Sequence, residues 1–165
     1  MVLAIDVYYR ETFAKVVGIL FNWKDEEPTE IFTTNIKNVE EYQSGQFYKR
    51  ELPCILELLK EIDIQNLECI IVDSHVYIDN DKNFGLGGYL YESLEQQLPI
   101  IGVAKKSFFN TANVSFPVYR GISDNPLFVS SIGIDVETAI ENVKNMHGEY
   151  RIPSLLKKLD GLTKS

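Results

Sequence analysis

The sequence predicts an α/β fold with one mixed sheet and helices on both of its faces. The first third of the chain contains three short runs rich in β-branched and aromatic residues, separated only by turns, as in an antiparallel meander. Beyond residue 45, apolar residues at helical spacing alternate with short, fully apolar runs. Such alternation is typical of parallel βαβ units. We therefore predict a three-strand antiparallel meander that is extended by parallel βαβ units.

The meander and the first helix follow from local patterns. A polar turn that ends in Pro28 separates the second strand from the third. A helix comes next, because Leu58, Leu59 and Ile62 recur at helical spacing and Glu51 stands near its start. Pro53 is compatible with a first helical turn. The predicted strands of the meander are residues 2–9, 14–21 and 29–36.

The second half of the chain predicts the parallel part of the sheet. Two short apolar runs there have the form of buried strands, and one of them ends in an acidic residue that would face a cleft. This order of elements is that of ribonuclease H-like folds. We predict strands at residues 67–73, 99–103, 114–119 and 127–131, a helix from the glycine-rich turn 85–88 to about residue 97, and a last amphipathic helix at 136–143.

Size and composition indicate a single globular domain. The chain has 165 residues, of which 45% are apolar and 24% are charged, close to globular averages. No apolar run approaches the roughly 18 residues of a membrane span, and the first residues lack the features of an export signal. We predict one domain at residues 1–165, located in the cytoplasm, without membrane association and with a monomer as the favoured state.

Charge and cysteine content exclude some classes of site. The formal net charge of −8 repels phosphate backbones and disfavours tight nonspecific binding of nucleic acid. A local basic patch or a bound cation can still reverse the sign of the potential at one cleft. Cys54 and Cys69 lie in apolar stretches without the spacing of metal ligands, which predicts two buried thiols.

Three acidic residues are candidates for a metal site. Asp6 interrupts the apolar run at residues 2–7, and Asp73 ends the fourth predicted strand. Glu51 arrives from the start of a helix. Such an oxygen-only site suits Mg²⁺ or Mn²⁺, and the cation would polarise a phosphate and activate water. The alternative is that the two aspartates only cap the turns that follow their strands.

Further candidates surround these acids. Lys105 and Lys106 follow a strand expected near that of Asp73, where they would contact phosphate or remain solvated. His75 would ligate a metal, transfer a proton or sit in a turn, and Tyr42 would stack on a base or pack its own loop. No nucleophile-elbow or phosphate-loop motif is present in the sequence.

Several motifs share an order and spacing that resemble the endonuclease V family. Ala4-Ile-Asp-Val7 is similar to the first catalytic strand of that family, and Val72-Asp-Ser-His75 is similar to its V-D-G-H motif. Tyr42-Gln-Ser-Gly45 and Lys49-Arg-Glu51 are similar to its Y-x-P-G wedge and F-R-E motif. Further matches are Phe84-Gly-Leu86 and residues 101–106, 125–130, 137–139 and 150–153.

The resemblance implies a ribonuclease H-like fold and a metal-dependent nuclease that recognises inosine in DNA or, in some members, RNA. Asp6, Glu51 and Asp73 would bind Mg²⁺ or Mn²⁺, and Lys105 would contact the phosphate. The bound base would be flipped out of its stack. The residues that would contact nucleic acid are Tyr42 and Gly45 in the wedge, Ser74 and Gly85 at the base pocket, and His75 and Lys106 beside them.

Several positions depart from the family pattern. Ser44 replaces the wedge proline, and Ser74 and Val76 replace two glycines beside the expected pocket. Residues 78–81 are acidic where the family has H-P-R, and the loop 130–134 is one residue short and lacks a histidine. These changes leave two alternatives to an active nuclease open. One is a module that binds nucleic acid or nucleotides without efficient cleavage, and the other is a protein-interaction domain.

Overall fold

The computed structural model describes residues 1–37 and 47–165. The predicted wedge residues Tyr42, Ser44 and Gly45 lie outside the described residues. The strands of the described part are β1 Val2–Tyr9, β2 Phe13–Phe21, β3 Glu30–Lys37, β4 Cys69–Val72, β5 Ile100–Ala104, β6 Phe116–Val118 and β7 Leu127–Ile132. The α-helices are α1 Phe47–Leu59, α2 Leu86–Ser93, α3 Val136–Lys144 and α4 Ser154–Lys164.

All seven of these strands join one mixed sheet, in the order β3-β2-β1-β4-β5-β7-β6. The first three strands form the predicted antiparallel meander. Strands β4 and β5 extend it in parallel from β1, and β7 and β6 complete the other edge in antiparallel pairing. This arrangement confirms the predicted mixed sheet. It also places the carboxyl ends of β1, β4 and β5 side by side.

Two apolar cores hold the helices against opposite faces of the sheet. Alternate residues of a strand point to opposite faces, so Leu3 and Ile5 contribute to one core while Val2 and Ala4 contribute to the other. The first core receives buried residues of α1 and α2, and the second receives those of α3 and α4. Because the central strands are covered on both faces, they are almost continuously apolar. Helices on both faces are therefore confirmed.

Three helix predictions need correction. Helix α4 was not predicted, since the helix at residues 136–143 was taken as the last. Helix α2 ends at Ser93 rather than near residue 97, because Glu95 and Gln96 adopt positive φ angles of 57° and 59° that end helical geometry. Pro53 lies inside α1 Phe47–Leu59 rather than in a first turn.

The predictions from composition can also be compared with the structure. Cys54 and Cys69 are both buried and unpaired, as expected. Burial raises the pKa of both thiols, to about 11 for Cys54 and about 12 for Cys69, so both are protonated at neutral pH. In the described residues, no helix has the length and apolar character needed to cross a membrane.

Candidate active site

Asp6 and Asp73 occupy equivalent positions on neighbouring parallel strands. Ile5 of β1 is paired with Val72 of β4, and each aspartate is the next residue along its strand direction. The two side chains therefore lie at the same edge of the sheet. They line the same two cavities, so the pair stands where these cavities meet.

The first cavity lies between the sheet and α4 and has a volume of about 350 Å³. Besides the two aspartates it is lined by Lys105, which follows β5, and by Asp160 of α4. The sequence analysis missed Asp160 together with its helix. A signal was present, because Leu155, Leu159 and Leu162 follow Pro153 at helical spacing.

The second cavity lies on the α1 side of the aspartate pair and has a volume of about 360 Å³. It is lined by Glu51, which projects from the second turn of α1 and is buried. The structure thus brings all three predicted acids to one cleft region. Asp6 and Asp73 are shared by both cavities, whereas Glu51 and Asp160 belong to opposite sides.

The aspartate pair carries more negative charge than its surroundings compensate. Burial and the charge of Asp73 raise the pKa of Asp6 to about 7, against a smaller lowering by the Val7 N–H, which donates to Asp6 Oδ1 at 2.9 Å. Loss of solvation in the concave cleft also raises the pKa of Asp73, although the residue keeps an exposed surface and nearby Lys105 lowers the value. A cation between these carboxyl groups would relieve the repulsion.

Glu51 is protonated more readily still. Burial raises its pKa to about 8, against the lowering effects of Tyr9 and Arg50. The Arg50 guanidinium stacks on the Tyr9 ring at 3.4 Å from its centroid. In the described part of the chain, Arg50 Nε is buried without a hydrogen-bond partner. This atom therefore leaves unused hydrogen-bonding capacity next to Glu51 in the sequence.

The donor set fits a hard divalent cation that is completed by other ligands. Within residues 1–37 and 47–165, no three His, Cys, Asp or Glu side chains form a ready cluster for a metal ion. Mg²⁺ is usually bound by only one or two carboxylates, with waters and substrate phosphates as its other ligands. Asp6 and Asp73 supply oxygen donors of that kind, and their raised pKa values indicate an uncompensated site.

Lys105 lies close enough to the aspartate pair for its charge to lower the pKa of both carboxyl groups. Its side chain is exposed and lines the first cavity. Its backbone is held in place, because Arg151 Nη2 donates to the Lys105 carbonyl. Arg151 Nη2 and Nε also donate to the Pro126 carbonyl, at 2.8 and 3.1 Å. Lys106 is exposed too but lines neither of the two cavities. Of the two lysines, Lys105 therefore belongs to the cleft and Lys106 does not line it.

His75 is buried, and both of its ring nitrogens face other groups of the protein. Its Nε2 lies 2.8 Å from the Lys106 carbonyl, and its ring packs on Phe108 with centroids 4.3 Å apart. Because a carbonyl oxygen only accepts, Nε2 carries the proton, and Nδ1 can accept from the Ser115 hydroxyl at 3.4 Å. Burial lowers the pKa of His75, which favours this neutral form. His75 thus anchors the loop that begins at Lys105.

The turns at Ser74 and Gly85 lie against each other, as a shared pocket would require. The Gly85 N–H donates to the Val76 carbonyl at 2.8 Å. A Cβ atom on Gly85 would stand only 2.8 Å from the His75 carbonyl oxygen, so a side chain there would push the two turns apart. Ser74 is partly exposed at this point.

A buried arginine fixes the connection between α3 and α4. Arg120 is only 3% exposed, and among the described residues no acidic side chain pairs with it. Its guanidinium instead donates to backbone carbonyls of that connection, which we call the carbonyl cage. The cage consists of the carbonyl groups of Lys144, Met146, Gly148 and Tyr150. It positions the segment that leads into α4 and Asp160.

The family model for endonuclease V matches residues 1–121 of the chain. The chain belongs to the endonuclease V family. Membership of this family implies a nuclease. The match includes the positions of Asp6, Glu51, Asp73 and Lys105. No protein of curated function matches the chain.

Solved endonuclease V structures share the fold over almost the whole chain. Human endonuclease V is 20% identical, with a TM-score of 0.78 over 99% of this chain and 82% of the human one. The Ciona intestinalis enzyme, crystallised with DNA containing an inosine followed by a ribo-adenosine, is 20% identical, with a TM-score of 0.79 over 99% and 84%. The Streptomyces avermitilis enzyme is 21% identical, with a TM-score of 0.77 over 99% and 79%. These similarities confirm the ribonuclease H-like fold.

One departure from the endonuclease V motifs has a structural explanation. Val76 stands where the family has a glycine, and its side chain is fully buried. It faces Gly87 of α2, where a Cβ atom would lie 2.9 Å from Val76 Cγ2. The larger residue at position 76 is thus accommodated by a glycine in the adjacent helix. It fills the protein interior rather than the surface of the expected base pocket.

Proposed function

We propose that this protein is a Mg²⁺- or Mn²⁺-dependent endonuclease that hydrolyses phosphodiester bonds near deaminated bases, above all inosine, in DNA or RNA. The observation that carries the proposal is the Asp6–Asp73 pair at the meeting point of two cavities, with Lys105 beside it. Family membership and the inosine-containing DNA bound by the Ciona intestinalis enzyme support the choice of substrate.

Each residue of the cleft has a proposed role. Asp6 and Asp73 hold the cation, and Asp160 and Glu51 approach it from opposite sides. When bound, the cation polarises the phosphate and activates water for attack. Lys105 offsets the phosphate charge from the rim of the first cavity. Because the raised pKa values favour protonated acids, a cation bound here would compete with protons for these carboxylates.

The remaining predicted residues are proposed to guide the strand. Ser74 and Gly85 line the pocket for the flipped base, and Tyr42 and Gly45 form the wedge. Lys106 contacts a neighbouring phosphate, and His75 keeps its loop in place through the Lys106 carbonyl. We treat residues 1–165 as one domain because all the described strands belong to one sheet.

The test uses labelled single strands of DNA and RNA, each with and without one inosine. We expect cleavage of the inosine strands in Mn²⁺ or Mg²⁺, no cleavage in EDTA, and none by Asp73→Asn. Binding without cleavage by the wild-type protein would instead identify a binding module. Equal cleavage of plain and inosine strands would disprove the base preference, and neither binding nor cleavage would disprove the nuclease assignment.

A further inference from the structure

The first cavity is larger than the aspartate pair requires, and most of its wall is aliphatic. The wall beyond the carboxyl groups is formed by side chains of the sheet and α4, including Ile71, Val103, Leu127, Leu156 and Leu159. At about 350 Å³ the cavity is at the small end of the range for ligand pockets, about 300 to 1,000 Å³. It has room for one nucleoside but not for a length of strand.

One of the residues that line this cavity is an exposed tyrosine. Tyr150 is 71% exposed and lines the cavity together with Asp6, Asp73 and Lys105. Its backbone is fixed, because Arg120 Nη1 donates to the Tyr150 carbonyl and the next residue, Arg151, donates to the Lys105 carbonyl. Tyr150 is therefore held beside the predicted reaction site on a firmly held segment.

The charges around the cavity suit a nucleotide. Lys105 and Lys157 are exposed and line the cavity, and among the described residues neither forms an ion pair. Two free ammonium groups complement the phosphates on either side of a nucleoside. An aromatic face with an aliphatic wall complements a base, whatever its identity.

We infer that this cavity binds the nucleoside adjacent to the cleaved phosphodiester bond, with its base stacked on the Tyr150 ring. The inference rests on the proposed function, because it places an unpaired strand across the Asp6–Asp73 pair. It adds a second base contact, on the α4 side of the cleft and separate from the pocket expected at Ser74 and Gly85. This contact accepts any base, since stacking uses the face of the ring rather than its edge.

The test combines a protein variant with removal of single bases from the strand. Binding of a labelled inosine single strand is measured by fluorescence anisotropy in Ca²⁺, with gels to verify that the strand stays intact. An abasic residue is moved from two positions before the inosine to three positions after it. Variants are Tyr150→Ala, Tyr150→Phe and, as control, Tyr119→Ala, which removes another exposed tyrosine side chain, at a residue that lines neither cavity.

We expect one abasic position to weaken wild-type binding about tenfold, the usual effect of one aromatic stack. Tyr150→Ala should bind the intact strand about tenfold more weakly than the wild type does. Removing the base at that same position should not weaken its binding further. Tyr150→Phe and Tyr119→Ala should behave like the wild type. If Tyr150→Ala does not fold, Tyr150→Leu, which keeps an apolar side chain without an aromatic face, should show the same loss.

The inference is overturned if Tyr150→Ala binds like the wild type, or if every abasic position has the same effect in both proteins. It is also overturned if Tyr119→Ala reproduces the loss. The same measurement on a strand without inosine separates this inference from the proposed function. If the abasic effect depends on Tyr150 but both strands bind equally well, the stacking site is supported and only the preference for inosine is disproved. If the wild type binds no strand, both are wrong.

Discussion

Gly102 of β5 lies directly beneath the Ser74 carbonyl, at a distance that leaves no room for a side chain. A Cβ atom at position 102 would stand 2.5 Å from that oxygen and 2.7 Å from Ser130 Oγ. The same Ser130 hydroxyl accepts a hydrogen bond from the Val76 N–H at 3.0 Å. The turn that follows Asp73 is therefore seated on a glycine of the neighbouring strand.

The first prediction is that Gly102→Ala lowers the free energy of unfolding by about 1 to 3 kcal/mol, the usual cost of overpacking. Activity per folded molecule should also fall, because the displaced turn begins beside Asp73. Gly161→Ala is the matched control: it lies in α4 with nothing within 4 Å of a Cβ atom, and should raise stability by about 0.5 to 1 kcal/mol. Urea unfolding checks both; an unaffected Gly102→Ala would contradict the close contact.

The second prediction concerns metal binding by Asp73. Mg²⁺ or Mn²⁺ at a hundred times its dissociation constant should stabilise the wild type by about 2.7 kcal/mol, or about 5 to 10 °C in a protein of this size. Asp73→Asn should abolish that rise, whereas Asp81→Asn, an exposed aspartate that lines neither cavity, should retain it. Calorimetry that finds unchanged metal binding in Asp73→Asn would remove this residue from the site.

The third prediction separates a metal ligand from a structural aspartate at Asp6. The pKa of Asp6 in the folded protein, about 7, lies above the ordinary value of 3.8 for an aspartate. Protonation therefore favours the folded state, and this contribution is lost as pH rises from about 4 to about 7. In EDTA at pH 8, Asp6→Asn should be more stable than the wild type by on the order of 2 kcal/mol, and should lose less stability between pH 5 and pH 8.

Asp79 provides the contrast for this experiment. Its carboxylate accepts hydrogen bonds from the Asn83 side-chain amide and from the backbone N–H groups of Asn83 and Asp81, and these contacts lower its pKa. Its contribution is therefore present at neutral pH and lost as the solution becomes acidic. Asp79→Ala should lower stability at pH 7. A similar loss in Asp6→Asn, with activity per folded molecule retained, would show that Asp6 caps a turn.

The fourth prediction is a preference for unpaired strands. Ser44 replaces the wedge proline, and the acidic segment 78–81 repels a second strand. We therefore expect the protein to open a DNA duplex poorly. Inosine in duplex DNA should be cut at least about tenfold more slowly than in the matching single strand. With three phosphate contacts, affinity should fall about 20-fold between about 50 and 200 mM salt. Equal rates on both substrates would contradict this prediction.

The sheet could be predicted from the sequence because its strands are short, β-branched and separated by clear turn signals. Asp6 and Asp73 were identifiable because an acid within or after a buried apolar run is unusual. Asp160 was not, since an acid among the lysines of an amphipathic helix looks like part of a solvated face, although the leucines of α4 signal the helix itself. Asp160 is brought near Asp6 only when α4 packs against β1. These two elements lie at opposite ends of the sequence, so local patterns do not reveal that contact.

The base-contacting residues were predicted with less physical support. Gly85 is required by the close approach of two backbones, which a sequence pattern cannot display. For His75 the sequence leaves metal binding, proton transfer and a place in a turn open, and the hydrogen bond to the Lys106 carbonyl shows that its Nε2 atom faces the protein. Tyr42 and Gly45 lie outside the described residues, so their roles stay predictions.

The carbonyl cage around Arg120 bears on how far this chain can drift in sequence. Every amino acid supplies the same backbone carbonyl, so replacements between Lys144 and Tyr150 need not disturb the cage, except at Gly148, whose φ of 117° favours glycine. Such a connection can lose its sequence signature and keep its course. The match to the family model ends at residue 121, before this connection, while the structural similarity to human endonuclease V covers 99% of the chain. A saturation-mutagenesis survey should find Arg120 intolerant and this segment tolerant except at Gly148 and at Met146, whose side chain is buried.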